Sequence, residues 1–276
     1  MVTLESKKIA IIGAGNMGNA FAEGIIKYGK AIAEKVIVAN PNKSKLISLK
    51  DKLNIKITTN NIAAVKYADW VILAVKPALV KTIIEEIKEY LEDKIIISSV
   101  AAVHISAIEK YAKNKNVKVV RVMPNIPITV GKGVIGFYPK KNISTSNKKE
   151  IVNLLKTLGN VIEVKHEKEI DLITLISGCG PALVTYFMEQ MVILANLYGF
   201  SKKRSFDIVH QTFLGTNIYL TENTQNLQQV KDVVATKGGI TEKILKSLDE
   251  GGLPLLFEKS MQEGYSKISE VSNLYK

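Results

Sequence analysis

The sequence predicts an α/β fold: a Rossmann-type doubly wound parallel sheet followed by an all-helical dimerisation domain. Three observations carry this. Short apolar strands alternate with helix-like segments up to about residue 164, the pattern of crossover-connected parallel strands. A Gly13-x-Gly15-x-x-Gly18 turn sits after the first strand and before the first helix. From Lys165 onward strand patterns stop and helical ones follow one another. The expected division is therefore 1–164 for a nucleotide-binding domain and 165–276 for a helical one.

Ile9–Ile12 reads as the first buried strand, and the turn after it gives each glycine a task. Gly13 makes the tight turn, Gly15 lets the backbone approach a pyrophosphate, and Gly18 lets helix and strand pack closely. Asn16 and Met17 open a helix running to Tyr28, whose free N–H groups and positive dipole end suit a phosphate. Lys35–Ala39 is the second strand. A carboxylate near its end would bind a ribose 2′-hydroxyl, but the chain continues Asn40-Pro-Asn-Lys43-Ser44-Lys45 with no acid. Amide, hydroxyl and ammonium groups suit a 2′-phosphate, so Asn40, Lys43 and Ser44 are expected contacts and NADPH is favoured, NADH remaining usable. Ile55–Thr58, Trp70–Val75, Ile95–Ser98 and Val117–Met123 continue the strands. Between them, Asn60-Asn61 caps a short helix, Ala78–Leu91 and Ser106–Ala112 are helical, and Lys76-Pro77 leaves a strand end. Gly133–Tyr138 and Asn160–Val164 flank a helix over Asn147–Leu158, with Pro139–Lys149 a basic surface loop. Ligands of such sheets bind beyond the carboxyl ends of the strands. That places Lys76-Pro77, Val100–Ala102 and Met123–Asn125 on one rim beside the glycine turn.

In the second half, Glu169–Ile176 leads to Ser177-Gly-Cys-Gly-Pro181, and Ala182–Tyr198 is apolar on almost every face. Such a helix is buried in a core or between subunits. Ser201–Glu222, Leu227–Val234, Thr241–Glu250 and Pro254–Ser269 continue as helices. This half is short for an independent core and is expected to pack against a partner chain.

Composition narrows the classes. The chain has 276 residues, 46% hydrophobic, and a mean hydropathy of +0.10, an ordinary globular balance. No apolar run is expected to approach the roughly 20 residues of a membrane span, and the first eight residues are too polar for a signal peptide. Cys179 alone excludes a disulfide framework, and three scattered histidines give no metal site. The net charge of +12 is nearly all lysine; only Arg121 and Arg204 are arginines. The lysines are dispersed without aromatic interleaving, so they read as a solvated surface rather than a nucleic-acid interface. A cytoplasmic protein acting on a small molecule, with no nucleic-acid or membrane partner, is the expectation.

Several motifs then agree. Ala74-Val75-Lys76-Pro77, Arg121-Val-Met-Pro-Asn125-Ile-Pro127, Leu175-Ile-Ser177-Gly-Cys-Gly-Pro-Ala182, Gln211-Thr-Phe-Leu-Gly215, Val230-Lys-Asp-Val233 and Gly238-Gly239-Ile-Thr241 closely resemble pyrroline-5-carboxylate reductases, in order and spacing over nearly the whole chain. The resemblance implies reduction of 1-pyrroline-5-carboxylate to L-proline with NAD(P)H, the last step of proline synthesis. It implies a homodimer interlocked through the helical domain, with larger rings of dimers in the family. It assigns cofactor contacts to Asn61, Ala74, Val75, Lys76, Pro77, Ala101 and Asn125, with Lys76 a phosphate-side or structural charge. The 235–241 segment would join two helices over the substrate, with Thr236, Thr241 and Thr174 as catalytic hydroxyls and Ser177, Gly238, Gly239 and Thr241 binding the substrate. Backbone N–H groups around Gly238-Gly239 would form an anion nest there.

The chain departs from the family pattern at Cys179 and Ile126, where a serine and a threonine are usual, at Lys237 for proline and at Ala102 for glycine. A β-hydroxyacid dehydrogenase would need a lysine on the long central helix, and none lies between Pro181 and Ser201. A metal-dependent reductoisomerase would need clustered carboxylates, and the helical half has scattered ones. A non-catalytic NADPH sensor on the same fold is the remaining rival.

Overall fold

A computed structural model describes residues 7–29, 31–223 and 226–275. The chain divides into two compact units, Met1–Pro181 with Tyr265–Lys276, and Ala182–Gly264.

The first unit is built on eight strands: β1 Ile9–Ile12, β2 Val36–Ala39, β3 Lys56–Thr58, β4 Trp70–Leu73, β5 Ile95–Ser98, β6 Lys118–Pro124, β7 Gly133–Pro139 and β8 Gly159–Glu163. They lie in the order β3-β2-β1-β4-β5-β6-β7-β8, and the first six are mutually parallel, the doubly wound arrangement. Helices α1 Asn16–Lys27, α2 Lys43–Leu53, α3 Asn61–Tyr67, α4 Val80–Ile87, α5 Ile105–Ala112 and α6 Thr145–Leu158 make the crossovers. Ile9 and Ile11 pack into one core, Ala10 and Ile12 into a second on the opposite face. That two-sided burial is why β1 is apolar throughout instead of alternating.

The parallel expectation fails at one edge. β7 runs antiparallel to β6, and β8 pairs parallel with β7. The link from Pro124 to Gly133 is one 3₁₀ turn, Ile126–Val130, closed by Gly131 at φ 66°, too short for a parallel crossover of a dozen or more residues. The α6 crossover is long enough, so the last two strands are parallel to each other.

After β8, α7 Glu169–Ile173 passes into a π-helical turn over Thr174–Gly178, where the Cys179 N–H reaches the Thr174 carbonyl at 3.0 Å. The sequence shows only a helix giving way to a glycine-rich turn. The second unit holds most of α8 Gly180–Leu197, then α9 Lys202–Glu222, α10 Leu227–Val234, α11 Ile240–Glu250 and the start of α12 Leu253–Asn273. Ser201 caps α9, and Asn226 with Gln229 forms a capping box on α10. Among its described residues only Ser205 and Val209 are buried. The helical run Glu169–Leu197 is long and apolar enough to cross a bilayer by length and composition, at a hydropathy of 1.5. Counting uninterrupted apolar runs misses it, because Glu189, Gln190 and Asn196 break the run without breaking the average.

Candidate active site

The carboxyl ends of four parallel strands meet on one rim: Ile12 pairs with Leu73, Leu73 with Ser98, and Ser98 with Arg121. The glycine turn leaves the first of these ends. Gly13 sits at φ +108°, where a Cβ would strike the Ala74 carbonyl oxygen and lie 2.9 Å from Val75 Cγ1. Its N–H donates to the Ala39 carbonyl at 2.8 Å, tying the turn to β2. A Cβ on Gly18 would collide with the Gly13 carbonyl oxygen, so helix and turn touch backbone to backbone. Gly15, the N-cap of α1, has open space where its Cβ would be. No side chain caps that helix, which leaves its first-turn N–H groups to an anion.

Beside them lies a cavity of about 420 Å³ lined by Ala14, Gly15, Asn16, Asn19, Ser44, Lys45 and Ser48. Asn19 Oδ1 is buried there without a hydrogen-bond partner. An open glycine, an uncapped helix end, a cation, hydroxyls and an orphaned amide oxygen fit the phosphate and ribose groups of a dinucleotide. Sequence reasoning placed Ser44 here and counted Lys45 with Lys43 among the loop's ammonium groups, but missed Asn19 and Ser48; the helical spacing of Ser44 and Ser48 was the available signal. Lys43 and Asn40 do not line the cavity. Asn40 Oδ1 instead accepts the Asn42 N–H at 2.9 Å, and Asn42 Oδ1 accepts the Lys45 N–H at 3.2 Å as the cap of α2.

Along the rim, Asn61 donates to Glu86 Oε2 at 2.9 Å while Asn60 caps α3. Lys76 is exposed, Ala74, Val75, Pro77 and Ala101 are half-buried, and Pro77 opens a 3₁₀ turn. Ala102 has φ 60°, a left-handed conformation in which its replacement of glycine is strained. Asn125 is buried, and its amide is committed within the protein. Oδ1 accepts the Val134 N–H at 2.8 Å, and Nδ2 donates to Ser177 O at 3.2 Å and Ser177 Oγ at 3.1 Å. Because Ser177 Oγ accepts, its own proton stays available to a ligand. The Thr174 hydroxyl donates to the Ile170 carbonyl at 2.8 Å.

A second polar cluster lies behind this rim. Arg121, with no exposed side-chain surface, pairs with Asp171 at 2.7 Å and Glu167 at 3.3 Å. His104 lies 3.6 Å from each carboxylate. Burial alone would raise the Glu167 carboxyl; the hydrogen bond with His104, the Ile105 N–H and the Arg121 charge outweigh it and hold it below the ordinary value. The readable signal was a lone arginine inside Val119-Val-Arg-Val-Met123, in a chain that otherwise uses lysine. Among the described residues no His, Cys, Asp or Glu grouping is placed to hold a metal.

In the second unit, Gly238 takes φ +75° and its N–H donates to Glu242 Oε2 at 2.6 Å. The Gly239 N–H donates to the Thr236 carbonyl at 2.9 Å. Both N–H groups of the expected nest are thus engaged within the chain, and the uncapped first turn of α11 offers those of Ile240 and Thr241 instead. Thr241 is half-buried; Thr236, Lys237 and Cys179 are exposed.

Residues 8–102 match the family described as NADP oxidoreductase coenzyme F420-dependent, and residues 167–271 match pyrroline-5-carboxylate reductase dimerisation. The chain is 32% identical over 269 residues to a pyrroline-5-carboxylate reductase of Methanosarcina acetivorans, covering 97% of this chain and 99% of that one. It superposes on a Plasmodium falciparum pyrroline carboxylate reductase solved with NADP bound at a TM-score of 0.89, with 29% identity over 97% and 99% of the two chains. A pyrroline-5-carboxylate reductase from Coxiella burnetii gives 0.87 at 32% identity, with the same coverage.

Proposed function

This chain belongs to the pyrroline-5-carboxylate reductase family, and we propose from that premise that it reduces 1-pyrroline-5-carboxylate to L-proline with NAD(P)H, completing proline biosynthesis. Likeness along 97% of the chain to relatives of 99% matching length is the observation that carries this reading. When bound, the dihydronicotinamide supplies a hydride to the imine carbon.

The protein's part is holding and orienting. The Gly13–Gly18 turn with Asn16 and Met17 would take the pyrophosphate. Ser44, Lys45 and Ser48 would face the 2′-phosphate, with Asn40 and Lys43 shaping or flanking that pocket. Asn61, Ala74, Val75, Lys76, Pro77 and Ala101 would line the path along the rim, and Asn125 would act through its hold on Ser177. The protonated cyclic imine is already electrophilic, so the site needs orientation and water exclusion more than a strong base. For the substrate carboxylate we assign the Ser177 hydroxyl in the first unit and, in the second, the Thr241 hydroxyl with the free N–H groups of Ile240 and Thr241 that the Gly238-Gly239 turn leads into. Thr236 and Thr174 would complete the hydroxyl-bearing surround. Hydrogen bonds to a charged group contribute about 1.5–3 kcal/mol. Thr241→Ala is therefore expected to lower kcat/KM roughly tenfold to a hundredfold while NADPH binding stays nearly intact.

The working unit is a homodimer formed through the helical half, 165–276, with 1–164 carrying NADPH. Assembly of dimers into a ring and a cytoplasmic location extend the same reading. Nicotinamide absorbance followed with pyrroline-5-carboxylate, NADPH against NADH, tests the reaction. Substrate-dependent oxidation, faster with NADPH, is expected; none with either cofactor overturns it. Lys45→Ala is expected to weaken NADPH by about tenfold and NADH hardly at all, as loss of a phosphate contact requires.

A further inference from the structure

We propose that Arg121, Asp171 and Glu167 are positioning residues for the substrate, acting through Ser177; this rests on the reductase reading above. Two cross-links join the same pair of elements. Arg121 in β6 holds Asp171, within α7, at 2.7 Å and Glu167, just before α7, at 3.3 Å. Asn125, at the end of the same strand, holds Ser177 by its carbonyl at 3.2 Å and its hydroxyl oxygen at 3.1 Å. β6 is an interior strand, paired on both sides by β5 and β7, and is a fixed reference. Beyond the first cross-link the helix widens into the π-turn Thr174–Gly178, which contains Ser177 of the second.

That placement explains why a π-turn persists there. An unpinned π-turn would relax toward α geometry, turning the residues at and beyond its C-terminal end, Ser177 among them, by up to about 100° and shifting them by up to about 1.5 Å. The Ser177 hydroxyl would then leave Asn125. The ion pair anchors the N-terminal side of the turn and Asn125 the C-terminal side. Stability alone does not account for the cluster. A buried ion pair is often replaceable by apolar side chains without loss, and here the buried Arg121 Nε has no partner at all. Geometry is what the cluster contributes.

The test uses the full-length protein with Asp171→Asn, which keeps shape and removes charge. The readouts are KM and kcat for pyrroline-5-carboxylate, NADPH Kd by fluorescence titration, and amide exchange over 172–179. The expected result is a KM raised about tenfold, NADPH Kd within twofold of wild type, and faster exchange at the π-turn. An unchanged KM, or KM and NADPH Kd rising together, overturns the proposal. Should Asp171→Asn fail to fold, Glu167→Gln, whose contact with Arg121 is longer, is expected to show the same split at about threefold, and its absence there is equally decisive. A wild-type protein inactive on pyrroline-5-carboxylate would sink the reductase reading instead. Amide exchange in the variant would still report on the pinning, with unchanged rates overturning it.

Discussion

Every residue of β1, β2, β4 and β5 is buried within the first unit. In the second unit, Leu197, Tyr198 and Leu255 are 78%, 76% and 73% exposed within one chain. Both stretches are apolar, and the difference is where the covering surface comes from. Helices on both faces of the sheet are supplied by the same chain a few residues later. The helices of the second unit have too few neighbours of their own, and burying a large apolar side chain stabilises by about 1.5–3 kcal/mol only once something covers it. An apolar helix can thus be as strongly specified as a core strand and still depend on a second copy, so the stability of that half follows protein concentration.

The largest test of this contrast is Leu194→Asp on α8. A carboxylate placed in a subunit contact is expected to cost several kcal/mol, at least about 3. Sedimentation should then show monomers and assays little activity; an intact, active dimer would mean the helical half closes its own core. Gly13→Ala is the matching change in the sheet half. Its Cβ has no room against Ala74, so NADPH should weaken by at least about a hundredfold, near 2.7 kcal/mol, while the dimer persists. Loss of dimer and cofactor together would mean the halves are not independent.

A smaller effect separates them by pH. The Glu167 carboxyl is held below its unfolded value despite burial, by the His104 hydrogen bond, the Ile105 N–H and the Arg121 charge. A depressed carboxylate contributes stability above its unfolded pKa and loses it as pH falls through the folded one. Thermal melts from pH 6 down to pH 3 should therefore show Glu167→Gln losing less stability than wild type, by a few degrees, in the first unit's transition. Parallel curves would remove Glu167 from that balance. The smallest effect is a gain: Ala102→Gly relieves a left-handed alanine, partly offset by glycine's freedom in the unfolded chain. About 0.5 kcal/mol and one to two degrees of Tm are expected. A lower Tm would show that the alanine methyl packs well enough to outweigh the strain.

Much of this was readable beforehand, and the misses share a cause. Strand positions, the parallel crossovers of the first six strands, the Asn60 cap and α10 at Leu227–Val234 came from local pattern and appear in the structure. The antiparallel β7 was not readable from its own residues, because direction is set by the length of the link before it. Lys43 and Lys45 looked equivalent in the loop; only the Asn42 cap, which starts α2, decides that Lys45 faces the cavity. The engaged N–H groups of Gly238 and Gly239 depend on Glu242, an ordinary surface acid in the sequence.

By itself the sequence determined the parts that need only neighbouring residues: glycines where a Cβ cannot fit, a strand end without an acid, helices apolar on every face, and motifs in family order. Tertiary structure alone decided which distant groups meet, such as Arg121 with Asp171 and Asn125 with Ser177, fifty and fifty-two positions apart. Local propensity is written in runs and periods, whereas a contact across the sheet exists only after the whole crossover has closed, and no run of residues records it.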